Sequence, residues 1–256
     1  MLALPGFALA AFLVIPLLVL ILRGITQQFL AYLSDPTLLS AVALSLVTST
    51  LSTFLALAAG TPLAYVLGRV SFPGKSWLEL PLDIPVVLPP LIVGIALLLT
   101  FGRNGLLGRP LDLLGIRLPF TTAAVVLAAT FIAAPLYLRT ARIGFAMVPQ
   151  ELREEAIVEG ANEWQVFRHV MLPLSWRALL GGLILCWTRA LGEFGATIVF
   201  AGNMVGRTQT MPLAIFIGFE TNLSIALALS VILVAVSVLV LIGLKLVDRA
   251  YSTTVG

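Results

Sequence analysis

The chain has 256 residues, 60% of them hydrophobic and only 11% charged, with a formal net charge of +3 and a mean hydropathy of +1.09. A soluble domain carries about 25% charged residues, so this composition excludes one and predicts a single domain that crosses a membrane several times. The basic residues are few and scattered, which argues against nucleic acid, and one histidine with one cysteine argues against a protein metal site or an intrachain disulfide.

The first apolar run, Leu4 to Leu22, meets the roughly 20-residue requirement for a span. No Lys or Arg precedes Arg23, so it lacks the basic start of a cleaved signal peptide and is read as a retained span. After a polar stretch from Arg23 to Asp35, a second span is expected over 38–67, long enough to tilt or project from the lipid. Its Ser45, Thr48, Ser49, Thr50, Ser52 and Thr53 leave two readings open, close packing of helices through small hydroxyls or the wall of a polar pathway. A basic turn from Arg69 to Lys75 leads to a third span over 78–101. There Pro81, Pro85, Pro89 and Pro90 each remove a backbone donor, so the run is expected to be kinked or partly unwound, inside the bundle. Pro89 and Pro90 mark either a gate or pathway lining or a static kink, and Asp83 is expected near the cytoplasmic boundary. A loop with Arg103, Arg109, Asp112 and Arg117 precedes a fourth span over 121–138, closed by Arg139 and Arg142. Beyond a charged insert come a fifth span over 179–200, a loop from Ala201 to Glu220, and a sixth span over 223–247. PLAYVLG at Pro62 and PLAIFIG at Pro212 are too short a match to make a repeat.

The insert, Glu151 to Pro173, holds five of the twelve acids together with Arg153, Arg168 and His169, so it belongs in water. Pro149 suits a first helical turn, Gly160 a left-handed stop, and Asn162 with Gln165 a capping pattern for a second helix ending before Pro173. The expected result is two short helices at an elbow. Its apolar Ala156, Ile157, Ala161, Trp164 and Phe167 suit a docking surface better than a plain connector.

The spacing Glu154, Glu155, Ala156, three residues, Gly160, nine residues, Val170 to Pro173 resembles the cytoplasmic EAA loop of ATP-binding-cassette importer permeases. Glu155 stands where that family usually has its first Ala, and Val170 replaces an Ile. The resemblance implies an all-α polytopic membrane protein with six transmembrane helices, like the type I importer permeases, and a cytoplasmic coupling elbow over 149–177 between helices 4 and 5. It implies that Glu154, Glu155, Ala156, Gly160, Ala161, Trp164, Phe167 and Pro173 contact an ATPase subunit. The implied partners are a second copy of the chain as a homodimer, two cytoplasmic ATPase subunits that bind ATP and Mg, and an extracytoplasmic oxyanion-binding protein. The chain has no GxxxxGK[ST] phosphate loop, so the ATP chemistry is expected in the partner and no enzyme activity here.

Within the fifth span, Arg189 and Glu193 are four residues apart and expected on one helix face. Each costs about 2.5–3.5 kcal/mol at mid-membrane, so the pair must face protein or water. It is read either as an ion pair that fixes helix register or as a site where Arg189 passes an oxyanion that Glu193 keeps from binding too tightly. Gly192, Gly195 and Ala196 allow another helix to approach. The run RALGEFGATIVFAGN, followed by GRTQTMPLAIF, resembles the permeases of tetrahedral oxyanions, most of all those of molybdate, with tungstate and sulfate permeases similar through its first part. GTPLAY at Gly60 and FPGKS at Phe72 extend the likeness over the second to sixth spans. It implies a pathway or gate at Pro89, Pro90, Arg189, Glu193, Thr197, Asn203, Thr208 and Gln209.

Placing both termini in the cytoplasm puts nine basic residues inside, five outside and Arg189 in the membrane, in the direction of the positive-inside rule for a plasma-membrane protein. A secondary transporter or channel would show repeats and intramembrane coupling residues, and an embedded enzyme a nucleophile or carboxylate cluster; alternating access driven by a partner ATPase accounts for the elbow better than either.

Overall fold

The computed structural model describes residues 3–25 and 29–252, with side chains over 5–25 and 29–243. Residues 26–28 of the polar stretch, and the side chains of Lys245 and Arg249, two of the basic residues counted as inside, lie outside the described residues. Every regular element among those described is helical. The order is α1 (Ala3–Gly24), α2 (Phe29–Tyr32), α3 (Pro36–Arg69), α4 (Lys75–Val87), α5 (Pro90–Phe101), α6 (Gly108–Leu113), α7 (Thr122–Met147) and α8 (Gln150–Val158). Then follow α9 (Glu163–Val166), a π-helical turn (Phe167–Met171), α10 (Leu172–Leu191), α11 (Gly195–Phe200), α12 (Met211–Thr221) and α13 (Leu223–Ser252). Among the described residues five helical runs are long and apolar enough to cross a membrane, and α4 with α5, bent by 117° at the break between them, makes a sixth if the pair counts as one span.

Local chemistry explains where these helices start and stop. Asp35 accepts from Thr37 N at 2.7 Å and Leu38 N at 3.3 Å, capping α3. Those two bonds favour the charged carboxylate and hold its pKa below the ordinary value, so the cap is complete at neutral pH and weakens as pH falls through the carboxylate range. Helix α7 runs nine residues beyond the expected Leu138, because Arg139 and Arg142 do not end it. They pair instead with Asp83 at 2.7 Å and Glu79 at 2.8 Å, stitching α7 to α4.

The third span is where the structure departs most from a single kinked helix. Leu88 and Pro89 each precede a proline, which disfavours helical backbone, and both are extended, with ψ of 139° and 130°. Two consecutive extended residues turn the chain instead of kinking it. Nor is this segment enclosed throughout: of α4 only Pro85 is buried, while Trp77, Leu80 and Val87 are exposed. The fifth span is corrected as well, since α10 ends at Leu191 and a break at Gly192–Phe194 precedes the short α11.

The chain divides into two compact units, Met1–Ser45 with Asn203–Ile242, and Leu46–Gly202 with Gly243–Gly256. In the first, Ser45 Oγ accepts from Met211 N at 2.7 Å, and Gly24 lies against Val231 and Leu227. In the second, α7 is central and packs along α10 through small residues, with Gly144 against Ala178 and Gly182 against Tyr137 and Thr140. Ser52 Oγ donates to Val126 O of α7 at 3.0 Å, and Trp187 Nε1 to Thr50 Oγ1 at 3.2 Å. These bonds favour the packing reading of the hydroxyl-rich second span over the pathway reading.

The glycine contacts carry a prediction. Gly144→Val would drive its Cβ into Ala178 and is expected to cost about 1–3 kcal/mol through overpacking. Gly181→Ala, with no atom within 4 Å of the added carbon, should leave the thermal midpoint in detergent unchanged or raised. Equal midpoints for the two variants would refute the α7–α10 contact.

Candidate functional site

The insert folds as the elbow its sequence describes, by two motifs that follow one another directly in the chain. Helix α8 ends in a Schellman motif: Gly160 is at φ 94°, its N–H donates to Ile157 O at 2.9 Å, and Ala161 N donates to Ala156 O at 2.9 Å. Asn162 opens α9 with a capping box, its Oδ1 accepting from Gln165 N at 2.9 Å while Gln165 Oε1 accepts from Asn162 N at 2.8 Å. Arg153 on α8 pairs with Glu163 on α9, closing the angle between them. Pro149 is the N-cap of α8, one residue before its first turn.

Pro173 does not end the second helix, contrary to the sequence expectation. The π-helical turn over Phe167–Met171 widens the backbone spiral, and Leu172 N donates back to Phe167 O. A proline in an ordinary helix meets the carbonyl four residues earlier; here it falls in the first turn after the wide segment, and the helix continues into α10. The second arm of the elbow and the membrane helix α10 are thereby one continuous helical run, Glu163–Leu191.

The elbow's apolar residues divide between two faces. Ala156, Ala161 and Phe167 pack onto the core. The Phe167 ring lies 5.0 Å from Tyr65 and 6.1 Å from Phe145, and Tyr65 meets Phe145 edge-on at 5.5 Å. Arg69 at the end of α3 donates to Val148 O. On the other face Ile157, Val158 and Trp164 are uncovered, Val158 and Trp164 being 88% and 65% exposed. Glu154 and Glu155 are exposed as well, and Gln150 Nε2 donates to Glu154 at 3.0 Å. Tyr65 and Phe145 were not singled out by sequence reasoning, because an aromatic inside an apolar run carries no mark of its partner.

The proposed pathway residues of the second unit also come together. Gly195 at the start of α11 sits on Pro90 at the start of α5, where a Cβ would be 2.8 Å from Pro90 Cβ. Gly94 meets Ala196, where a Cβ would be 2.9 Å from Ala196 O. The bend after Pro89 and the break before Gly195 are therefore one junction. Glu193 lies in the break, past the end of α10, yet keeps Arg189 as its partner: Arg189 Nη1 stands 2.9 Å from Glu193 Oε2, in ion-pair contact but off hydrogen-bond geometry. The other oxygen, Oε1, accepts from Ala196 N at 2.7 Å. Glu193 is only 2% exposed, so its carboxylate joins α10 to α11 across the break. Thr197 is fully buried, and its hydroxyl has no partner among the described residues.

Asn203, Thr208 and Gln209 belong to the first unit. Thr208 is buried and spent on its own turn, its Oγ1 accepting from Met204 N at 2.9 Å and its N–H donating to Met204 O at 2.9 Å. Gln209 N also donates to Met204 O, at 3.0 Å, and its side chain lines a cavity of about 250 Å³ shared with Asp35, Thr221 and Asn222. Asn203 Oδ1 is buried without a partner among the described residues.

With this geometry in place, the chain can be set beside known proteins. A family described as the binding-protein-dependent transport system inner membrane component matches residues 60–253, which include the elbow and both breaks. The chain belongs to this family. Among inner membrane components of such systems, it is 38% identical over 215 residues to the probable transport system permease protein NifC of Clostridium pasteurianum, covering 84% of this chain and 75% of that one. It is 40% identical over 190 residues to the molybdenum transport system permease protein ModB of Escherichia coli (strain K12), covering 74% and 82%. The fold is that of a bacterial ABC transporter involved in alginate import, with a TM-score of 0.78 at 16% identity over 97% of this chain and 94% of that one. As an inner membrane component, the chain is a multi-pass membrane protein.

Proposed function

We propose that the chain is the permease of an ATP-driven importer for a tetrahedral oxyanion, molybdate in the first place, working by alternating access. The observation that carries the transport mechanism is the elbow: an exposed patch of Ile157, Val158, Trp164 and two glutamates, backed by an aromatic cluster on α3 and α7 and continuous with α10. Two cytoplasmic ATPase subunits, which hold the ATP and Mg, would dock on the elbows of a homodimer of this chain. Glu154, Glu155 and Trp164 would meet the ATPase, while Ala156, Gly160, Ala161, Phe167 and Pro173 set the elbow's angle and tie it to the spans. A binding protein on the outer face would deliver the anion, with both termini of the chain in the cytoplasm.

The gate in this reading is the junction of α5 with α11. A push on the elbow travels along α10 as a rigid rod, and Glu193 passes it to α11 and hence to Pro90 and the bend. Thr197 is the polar group this junction offers the anion, and the Arg189–Glu193 pair holds α10 and α11 in register beside it. The choice of molybdate is supported by the resemblance of RALGEFGATIVFAGN to oxyanion permeases and by the name of the Escherichia coli relative.

ATPase activity of the complex, reconstituted with its ATPase and binding protein, tests the assignment. Molybdate is expected to stimulate hydrolysis at concentrations where sulfate is silent. Stimulation by sulfate or thiosulfate alone would move the substrate to that anion, and stimulation by tungstate alone likewise. No response to any of them would overturn the oxyanion reading, and loss of co-purification with an ATPase would overturn the importer reading in favour of a secondary transporter or channel.

A further inference from the structure

Between α5 and α7 the chain makes a short excursion that carries α6. It folds back on the end of α5, Leu107 N donating to Thr100 O at 2.8 Å. A solvated loop would be polar on its outside, but here Leu106, Leu113 and Leu114 are 82%, 90% and 74% exposed. The same stretch holds Arg103, Arg109 and Arg117 against a single acid, Asp112. Arg117 Nε meets Asp112 Oδ1 at 2.7 Å, and Arg103 is close enough to add to the field of Arg117 that holds this carboxyl below its usual range. Positive charge is therefore in surplus. Beneath lies a cavity of about 230 Å³ walled by Leu98, Phe101, Ile116 and Phe120, with Arg103, Arg117 and the one carboxylate Asp112 among its lining.

Cationic groups over apolar walls, beside uncovered leucines, between two membrane helices: this combination matches one class of molecule, and we propose that the excursion is a binding site for an anionic phospholipid. Arg103 and Arg117 take the phosphodiester, the acyl chains run down Leu98 and Phe101, and Leu106, Leu113 and Leu114 lie in the interfacial layer of the bilayer. A free tetrahedral oxyanion shares the phosphate's chemistry but would leave the apolar walls and the three leucines uncovered. The inference rests on the chain being in a membrane and not on which anion it carries.

Native mass spectrometry of the full chain, with phosphatidylglycerol or phosphatidylcholine added, tests it. The wild type is expected to prefer phosphatidylglycerol, and Arg103→Gln with Arg117→Gln to weaken that binding by about tenfold or more while leaving phosphatidylcholine unchanged. In a vesicle of phosphatidylglycerol, a spin label attached through Leu113→Cys, an exposed position, should be reached more readily by oxygen than by a water-soluble nickel chelate. Equal binding of the two lipids overturns the proposal. So does displacement of phosphatidylglycerol by molybdate, which would make the site one for the free oxyanion, and so does a label as accessible to the chelate as one in water.

Discussion

Gly160→Pro is expected to lower ATP-driven uptake in proteoliposomes by at least about tenfold while ATP hydrolysis by the complex persists. Proline holds φ near −65°, whereas Gly160 sits at φ 94°, and the substitution also deletes the N–H that donates to Ile157 O. The left-handed turn and the Schellman bonds are lost together, so the elbow no longer holds the angle at which a push would reach α10. The loss is local, because Gly160 is exposed and a Cβ there would have nothing within 4 Å, so the membrane helices should melt as in the wild type. Gly160→Ala provides the graded control. It keeps the N–H and meets no atom, leaving only the left-handed penalty of about 1–2 kcal/mol, and should reduce transport less than proline does. Transport by Gly160→Pro at the wild-type rate would remove the elbow from the mechanism.

The turn at Gly160 was legible because its cause is local: one glycine at a left-handed position, then Asn162 and Gln165 three apart, specify a stop and a start without help from the rest of the protein. The positions of the apolar runs were legible for the same reason, since hydropathy is a property of the run itself. What the sequence concealed depends on backbone turns inside those runs. Hydropathy reads Leu78 to Phe101 as one span and does not register that Leu88 and Pro89, each before a proline, are extended and turn the chain by 117°. It also reads past Gly192, so that Glu193 was placed on the face of a helix that has already ended. Pro173 misled in the opposite direction, a helix breaker accommodated by a π turn that no residue preference announces. The two-faced elbow was hidden because Ala156 and Phe167 face inward only in the presence of Tyr65 and Phe145, and Tyr65 stands 102 residues before Phe167 in the chain, 167 less 65.

Glu193→Ala should have the largest effect on folding, and its rescue decides what the pair is for. The substitution removes the acceptor of the Ala196 N–H and leaves the Arg189 guanidinium, two-thirds covered by protein, without its counter-charge. Breaking a buried pair costs about 3–5 kcal/mol; since Arg189 keeps some exposure, about 3 kcal/mol is expected, read as a lowered thermal midpoint and a reduced yield of monodisperse protein. Glu193→Gln retains an oxygen for Ala196 N and should lose less. The informative variant is the double one, Arg189→Met with Glu193→Gln, which restores a neutral, capped junction. If the pair serves to hold α10 and α11 in register, the double variant recovers both stability and molybdate-dependent uptake. That recovery is the expected result, because both oxygens of Glu193 are already engaged within the junction. A double variant that is stable yet transports nothing would assign Arg189 to the anion instead, and the carboxylate's hold on α11 would then be the device that keeps the guanidinium aimed into the pathway.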